Sequence, residues 1–493
     1  MTAHSSPVLG APKPIKFGTD GWRGVIAADF TFDRVAWVAS LAAKVLGQVY
    51  GETTGSRTII VGYDRRFLSP EFARTAAEAA RTAGFDVMLS ETYAPTPAFS
   101  WAAKQHQALG ALVITASHNP AAYSGLKVKG AFGGSVPPEI TQQIEALIQS
   151  DAGKEVKDQN ESSSTSLTMF DPWPSYCEAL RGKVDIDLLR SAIANDQLTV
   201  FADVMHGAAA GGLDKILGLP IQEINGNADP LFEGGAPEPL PKYLAKLFKQ
   251  IKTHRQQSET GLTVGLVFDG DSDRIAAVDG QGEFLSSQVL IPILIEHLSV
   301  NRGFTGEVIK TISGSNLIPR VADLHNLSVY ETPIGYKYIA DRMLESQVLI
   351  GGEESGGIGY GNHIPERDAL LSALYVLEAV VQANMDLSDF YSKLQQKTGF
   401  TSAYDRIDLP LASMDVRSRL IEQLQTQPPT TVAGRSVVSC LTIDGYKFQL
   451  DDQSWLLIRF SGTEPVLRLY SEAATLENVH QILHWAKDWA NSI

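Results

Sequence analysis

TIIVGYD (58–64), PEFARTAAEAARTAG (70–84) and ALVIT (111–115) decide the fold class. The first and third are short apolar runs closed by polar residues, which read as buried strands. The Ala-rich segment between them starts at Pro70 and stops at Gly84, the usual punctuation of a helix. The same rhythm returns in LTVFADVMHG (198–207) with GLTVGLVFDGDSDR (261–274), and in EVIKTISG (307–314) with QVLIGGEESGG (347–357). Strands alternating with helices predict α/β architecture with parallel or mixed sheets. The C-terminal part differs. GYKFQL (445–450), SWLLIRFSG (454–462) and PVLRLYSEA (465–473) precede a helix around 477–493 and predict a small α+β unit.

The 493 residues exceed one hydrophobic core and predict several domains. The polar stretch DAGKEVKDQNESSSTS (151–166) reads as a loop or linker, and further boundaries are expected near 281–286 and 399–408. A net charge of −15 argues against bulk attraction to nucleic acid or anionic membrane, yet leaves room for clustered cations that bind phosphate. Two cysteines, Cys177 and Cys440, make no disulfide framework, so a reducing cytoplasm is the expected location. The N-terminus lacks the apolar core of a signal peptide, and VLIPILI (289–295) is too short to span a membrane and reads as core.

Four loops carry chemistry. TASHNP (115–120) places Ser117 at a strand end beside His118, as an exposed nucleophile or phosphate carrier, although Ser, Asn and Pro also make ordinary turns. FDGDSDR (268–274) spaces Asp269, Asp271 and Asp273 two apart, so their carboxylates converge and call for a hard cation such as Mg²⁺. An EF-hand is excluded, because its Gly and Glu positions hold Arg274 and Gly280. A haloacid-dehalogenase-type site with Asp269 as phosphate acceptor and a solvated acidic turn are the rival readings. GGEESGG (351–357) offers Glu353 as an acceptor for sugar hydroxyls, or is an acidic turn. RFSGTEPVLR (459–468) can form an anion-binding nest with Arg459, Ser461 and Thr463, or is a β-turn with incidental hydroxyls, and FGTDGWRG (17–24) offers Arg23 with the same two readings.

Taken together, the loops resemble the motifs of the α-D-phosphohexomutase superfamily, in the family's order and over nearly the whole chain. The resemblance implies four domains around a central cleft: 1–155 with the phosphoserine loop, 165–285 with the Mg²⁺ loop, 286–400 with the sugar loop and 401–493 with the phosphate loop. The first three would share a mixed-sheet α/β fold. Carried over by motif, Ser117 is the phosphoserine and binds Mg²⁺ together with Asp269, Asp271 and Asp273. Arg23, Lys127, His118 and Arg274 fall in the catalytic group, while Glu353 and Ser355 hold sugar hydroxyls. Arg459, Ser461, Gly462 and Thr463 clamp the non-reacting phosphate. Lys337, in TPIGYKYI (332–339), matches the charged position of the sugar-specificity loop, and Arg367 a basic group that binds substrate.

The motif GEES is nearer glucose-type phosphoglucomutases than the GEMSGH or GEQSGH of other members. The expected reaction is therefore interconversion of glucose 1-phosphate and glucose 6-phosphate through glucose 1,6-bisphosphate. The alternatives are a glucose-1,6-bisphosphate synthase fed by a donor such as fructose 1,6-bisphosphate, or a mutase for mannose, glucosamine or pentose phosphates. The expected partners are small hexose phosphates, with no nucleic acid or membrane, in a monomer or homodimer.

Overall fold

In the computed structural model, which describes residues 13–18, 21–150, 165–258, 260–461 and 465–492, the run 58–63 is the strand Thr58–Tyr63. It lies mid-sheet between Gly110–Ile114 and Asp86–Ser90, parallel to both. Helices cover both faces of these strands, which is why they are continuously apolar rather than alternating. Helix Phe32–Thr54 is capped by Thr31, whose side chain accepts from Arg34 N, and it ends on Gly55 in the left-handed conformation. Strand Tyr123–Gly130 joins the sheet antiparallel to Gly110–Ile114, making it mixed.

The first sheet extends further along the chain than the expected boundary. Leu167–Phe170 pairs in parallel with Asp86–Ser90 at the sheet edge, so the chain leaves this sheet after Phe170 rather than by 165. Four half-exposed residues behind a polar run carry no readable strand signal. The second sheet centres on Leu262–Phe268, parallel to Leu198–Asp203 and antiparallel to Ile275–Val278.

Internal contacts divide the chain into two compact units, Met1–Phe284 with Gly356–Asp386, and Leu285–Ser355 with Leu387–Ile493. Of the stretch 286–400, residues 356–386 thus cluster with the first unit. Helix Ala369–Ala383 is apolar around most of its circumference and packs on the second sheet's Leu262–Phe268 and Ile275–Val278. A helix of that composition needs burial on several sides, and the second sheet supplies it.

In the other unit, Glu307–Thr311 lies between Val329–Thr332 and Val348–Gly352, parallel to both. VLIPILI falls inside the buried helix Ser287–Glu296. The C-terminal sheet is antiparallel in the order Ala403–Pro410, Val466–Ala473, Trp455–Phe460, Tyr446–Leu450, Arg435–Leu441, Thr431–Val432. Helices Met414–Thr426 and Leu476–Asn491 cover one face, and the other face packs Trp455, Leu457 and Tyr470 against Ile312 and Ile334. Among the described residues no single helix is long and apolar enough to cross a membrane.

Lys447 stands buried on that second face, donating to the Ile312 carbonyl at 2.7 Å, with its ammonium 4.3 Å from the Trp455 ring. Burial, reinforced by Lys310, pushes its pKa down to about 7 against the pull of Glu331 and Glu472. Between pH 7 and 10 the unfolded chain holds a proton that the folded chain has shed, so this group makes stability rise with pH in that window. Thermal unfolding at pH 7, 8 and 9 should show Lys447→Met rising less steeply with pH than the wild type. Equal slopes would mean that Lys447 keeps its proton when folded.

Candidate active site

The buried strand Gly110–Ile114 delivers Ser117 to a sharp bend, where its φ of 52° is left-handed. A non-glycine residue there costs about 1–2 kcal/mol, so its surroundings must hold it. Arg66 does much of that. Its guanidinium donates to the carbonyls of Ser117 and Asn119 at 2.6 Å, and of Pro120 and Tyr123 at 3.1 Å, while Asp64 pairs with it at 3.3 Å. Sequence reasoning missed Arg66. Its signal was an Arg just past the strand end, in YDRR (63–66), with nothing nearby to mark its partners fifty residues on.

Ser117 Oγ donates to Asp269 Oδ2 at 2.8 Å and lies 3.3 Å from His118 Nδ1. The two loops are pressed together: a Cβ on Gly270 would stand 2.4 Å from the Ser117 carbonyl oxygen. Asp269 leaves the end of strand Leu262–Phe268, and its Oδ1 accepts from the backbone N–H of Asp273 and Arg274, folding the loop back. That turn brings Asp269, Asp271 and Asp273, all buried, to within 4.8 Å of one another.

Lys127 Nζ bridges Asp271 and Asp273 at 2.8 Å each, and Arg367 Nη2 reaches Asp273 at 2.7 Å. Thr96 Oγ1 donates to Asp271. Lys127, Thr96 and Arg367 hold the Asp271 carboxyl below the usual range despite its burial. Asp269 moves the other way, pushed up to about 8 by burial and by the charges of Asp271 and Asp273. Burial and the neighbouring cations Arg274 and Arg23 depress His118 strongly, so its ring is neutral at pH 7. Arg274 Nε lies 3.9 Å from Asp273, and Arg23 Nη1 donates to Asn119.

Three carboxylates this close repel by several kcal/mol at protein-like dielectric unless cations offset them. Asp271 Oδ1 and Asp273 Oδ1 are buried without a hydrogen-bond partner among the described residues. Orphaned carboxylate oxygens beside a like-charge cluster are the donor set of a hard divalent cation, and Mg²⁺ fits it.

Arg367 is held from both sides. Glu366 pairs with Lys129 at 2.6 Å, both fully buried, and Asp368 accepts from Tyr176 Oη at 2.8 Å and lies 3.1 Å from His363 Nε2. Arg367, expected at the substrate, is placed on the metal triad. Lys129 and Glu366 were also missed, because a buried ion pair 237 residues apart in sequence leaves no local trace.

The other unit holds the remaining residues. Glu353 is buried just past strand Val348–Gly352, with Ser355 beside it half-buried. Glu354 turns to Arg406 at 3.1 Å. Lys337 lies over the Tyr338 ring at 4.9 Å, and Arg459 Nε donates to Asp444 Oδ2 at 3.0 Å. Ser461 N donates to the Val466 carbonyl. Gly462 and Thr463 lie outside the described residues.

Domains I to IV of the phosphoglucomutase/phosphomannomutase family match residues 14–155, 174–282, 286–398 and 417–486. A Thermus thermophilus protein, named provisionally as a phosphomannomutase, is 32% identical; its crystal structure superposes with a TM-score of 0.82 over 97% of this chain and 100% of its own. A phosphoglucosamine/phosphogalactosamine mutase of Sulfurisphaera tokodaii is 29% identical over 94% of this chain and 96% of its own. A phosphoglucomutase/phosphomannomutase of Thermococcus kodakarensis is 27% identical over 95% and 96%. The chain belongs to the phosphoglucomutase/phosphomannomutase family, and it is an intramolecular phosphotransferase.

Replacing Asp271 by Asn removes one anionic ligand and one of the two carboxylate charges that Lys127 bridges. Calorimetric Mg²⁺ titration of Asp271→Asn should show affinity lower by about tenfold or more, and EDTA should inactivate the wild type reversibly. Unchanged Mg²⁺ affinity would remove Asp271 from the ligand set.

Proposed function

We propose that the chain interconverts hexose 1-phosphates and 6-phosphates through a phosphoserine at Ser117, with hexosamine and mannose phosphates as its preferred substrates. The hydrogen bond between Ser117 Oγ and Asp269 carries the reading, because it puts the carrier oxygen on the metal-binding triad. The relatives named for glucosamine and mannose phosphates support the sugar choice, which departs from the glucose expectation. The glucose expectation rested on GEES, but Glu354, the residue that sets that motif apart, is bonded to Arg406 rather than offered to a sugar.

Asp269, Asp271 and Asp273 would hold Mg²⁺ with an oxygen of the seryl phosphate. Bound there, Mg²⁺ neutralises phosphate charge and polarises the phosphoryl group. The chain's own residues do the rest. Arg66 fixes the bend that presents Ser117 Oγ. Lys127 and Arg367 offset two of the three carboxylate charges, which lowers the repulsion that a phosphate dianion would meet there. Arg23, tied to Asn119, brings a cation to the same loop.

A sugar hydroxyl attacks phosphorus in line; its O–P bond forms as the Ser117 O–P bond breaks, and the proton it gives up is made good on Ser117 Oγ, giving the hexose 1,6-bisphosphate and a free serine hydroxyl. After the bisphosphate turns round, Ser117 Oγ takes the other phosphate and the isomer leaves. Phosphoryl transfer passes through a loose transition state, so positioning and charge supply most of the acceleration. Arg459 and Ser461 would grip the phosphate that is not reacting.

Turnover of glucosamine, mannose and glucose 6-phosphates should be compared with a trace of the matching 1,6-bisphosphate. The expected order places glucosamine or mannose above glucose in kcat/KM, and a strict glucose preference would overturn the sugar choice. Accumulation of a hexose 1,6-bisphosphate from fructose 1,6-bisphosphate would mark a synthase instead. Ser117→Ala should lose turnover by orders of magnitude with its fold retained, and mass spectrometry should find phosphate on the wild-type peptide bearing Ser117. An active Ala variant would overturn the carrier.

A further inference from the structure

Arg459 does not stand alone on its strand. In the C-terminal sheet it is paired with Arg468, which is paired with Asp408; Arg406, two residues before Asp408, is paired with Tyr470 and through it with Leu457. Directly opposed residues share a face, as do alternate residues along one strand, so Arg459, Arg468, Asp408 and Arg406 lie on one face. It is the face that packs Trp455, Leu457 and Tyr470 against Ile312 and Ile334.

Both sugar-reading loops are fastened to it. Arg406 takes Glu354, the neighbour of Glu353, at 3.1 Å, and Ser287 Oγ donates to the Glu354 carbonyl at 2.8 Å. In the 332–339 loop, Ile334 enters the apolar cluster, while its backbone N–H donates to Asp444 Oδ2 at 3.0 Å. The same oxygen accepts from Arg459 Nε, also at 3.0 Å. One carboxylate oxygen thus joins the Arg459 guanidinium to the turn that leads into the helix bearing Lys337. Gly335, at φ 134°, then turns the chain into helix Tyr336–Glu345. Asp444 is about one-quarter exposed, and no sequence motif marks it.

We infer that Asp444 is a positioning residue that fixes the plane of the Arg459 guanidinium and the 333–335 turn ahead of Lys337 in one register, so that phosphate grip and sugar choice are set together. This rests on the mutase reading above, since Arg459 and Lys337 take their roles from it. With Nε committed to Asp444, the guanidinium is oriented by a charge-assisted bond before substrate arrives. An anchor of that kind acts on every hexose phosphate through the grip, and on their ranking through the loop. A carboxylate serving the fold alone would change neither.

Calorimetric binding of glucose, glucosamine and mannose 6-phosphates to the Mg²⁺-loaded full chain tests this apart from turnover. Asp444→Ala should weaken all three by about tenfold, the scale of one charge-assisted hydrogen bond, and compress the differences among them. Asp444→Asn keeps an acceptor for Ile334 N–H, so it should weaken binding while preserving the ranking. In an Arg459→Ala background Asp444→Asn should cost nothing further, because its partner is gone. Dissociation constants and ranking unchanged in Asp444→Ala would overturn the inference. Should that variant not fold, an Asn effect undiminished by Arg459→Ala would overturn it equally. Wild-type binding without turnover would overturn the mutase reading alone, and wild-type binding of none of the three would overturn both.

Discussion

Three aspartates share a buried pocket less than 5 Å across, and most of the first unit is arranged to make that tolerable. Ionised carboxylates cannot be packed so closely without compensation, and here it comes from far apart in the chain. Lys127 arrives on a strand of the first sheet, Arg367 on a loop ahead of the helix that covers the second, and Thr96 at the start of a third element. Each must itself be aimed, so the requirement spreads outward: Glu366 and Lys129 fix the loop of Arg367, and Gly270 lets the aspartate turn lie against the serine bend. The charge left unmet is what makes the pocket receptive to a cation and then to a phosphate.

The sheets were legible because the buried strands are short apolar runs with glycine and acidic punctuation. The triad was legible because its spacing of two is local. Arg66, Lys129 and Glu366 were not, since each acts through partners distant in sequence and each looks like an ordinary surface charge when read alone. Leu167–Phe170 escaped for a different reason: an edge strand of four half-exposed residues lacks the contrast on which periodicity depends. The GEES motif was visible, but its meaning was not. Only the position of Arg406 shows that Glu354 faces a strand of the C-terminal sheet.

The second unit solves a different problem. In the function proposed, it would meet sugar hydroxyls with acceptors and phosphate with donors, and the residues proposed for the two come from separate sheets. Seating both loops on one face of the antiparallel sheet lets a rigid surface fix their spacing. Glu472 strengthens that seating: it takes Trp455 Nε1 and Asn316 N together with the hydroxyls of Ser315 and Ser402. A buried carboxylate with four donors is well compensated and stiff.

The threading of residues 356–386 back onto the first unit also governs the order in which the chain is completed as it leaves the ribosome. The second sheet can form its strands once residue 285 has emerged, but it lacks the helix Ala369–Ala383 until about a hundred residues later. Meanwhile the segment 285–355 waits for the C-terminal sheet against which its loops are seated. Neither unit is finished before part of the other has been made. A long, incompletely covered intermediate exposes the apolar face of the second sheet during synthesis, the kind of surface that chaperones shield.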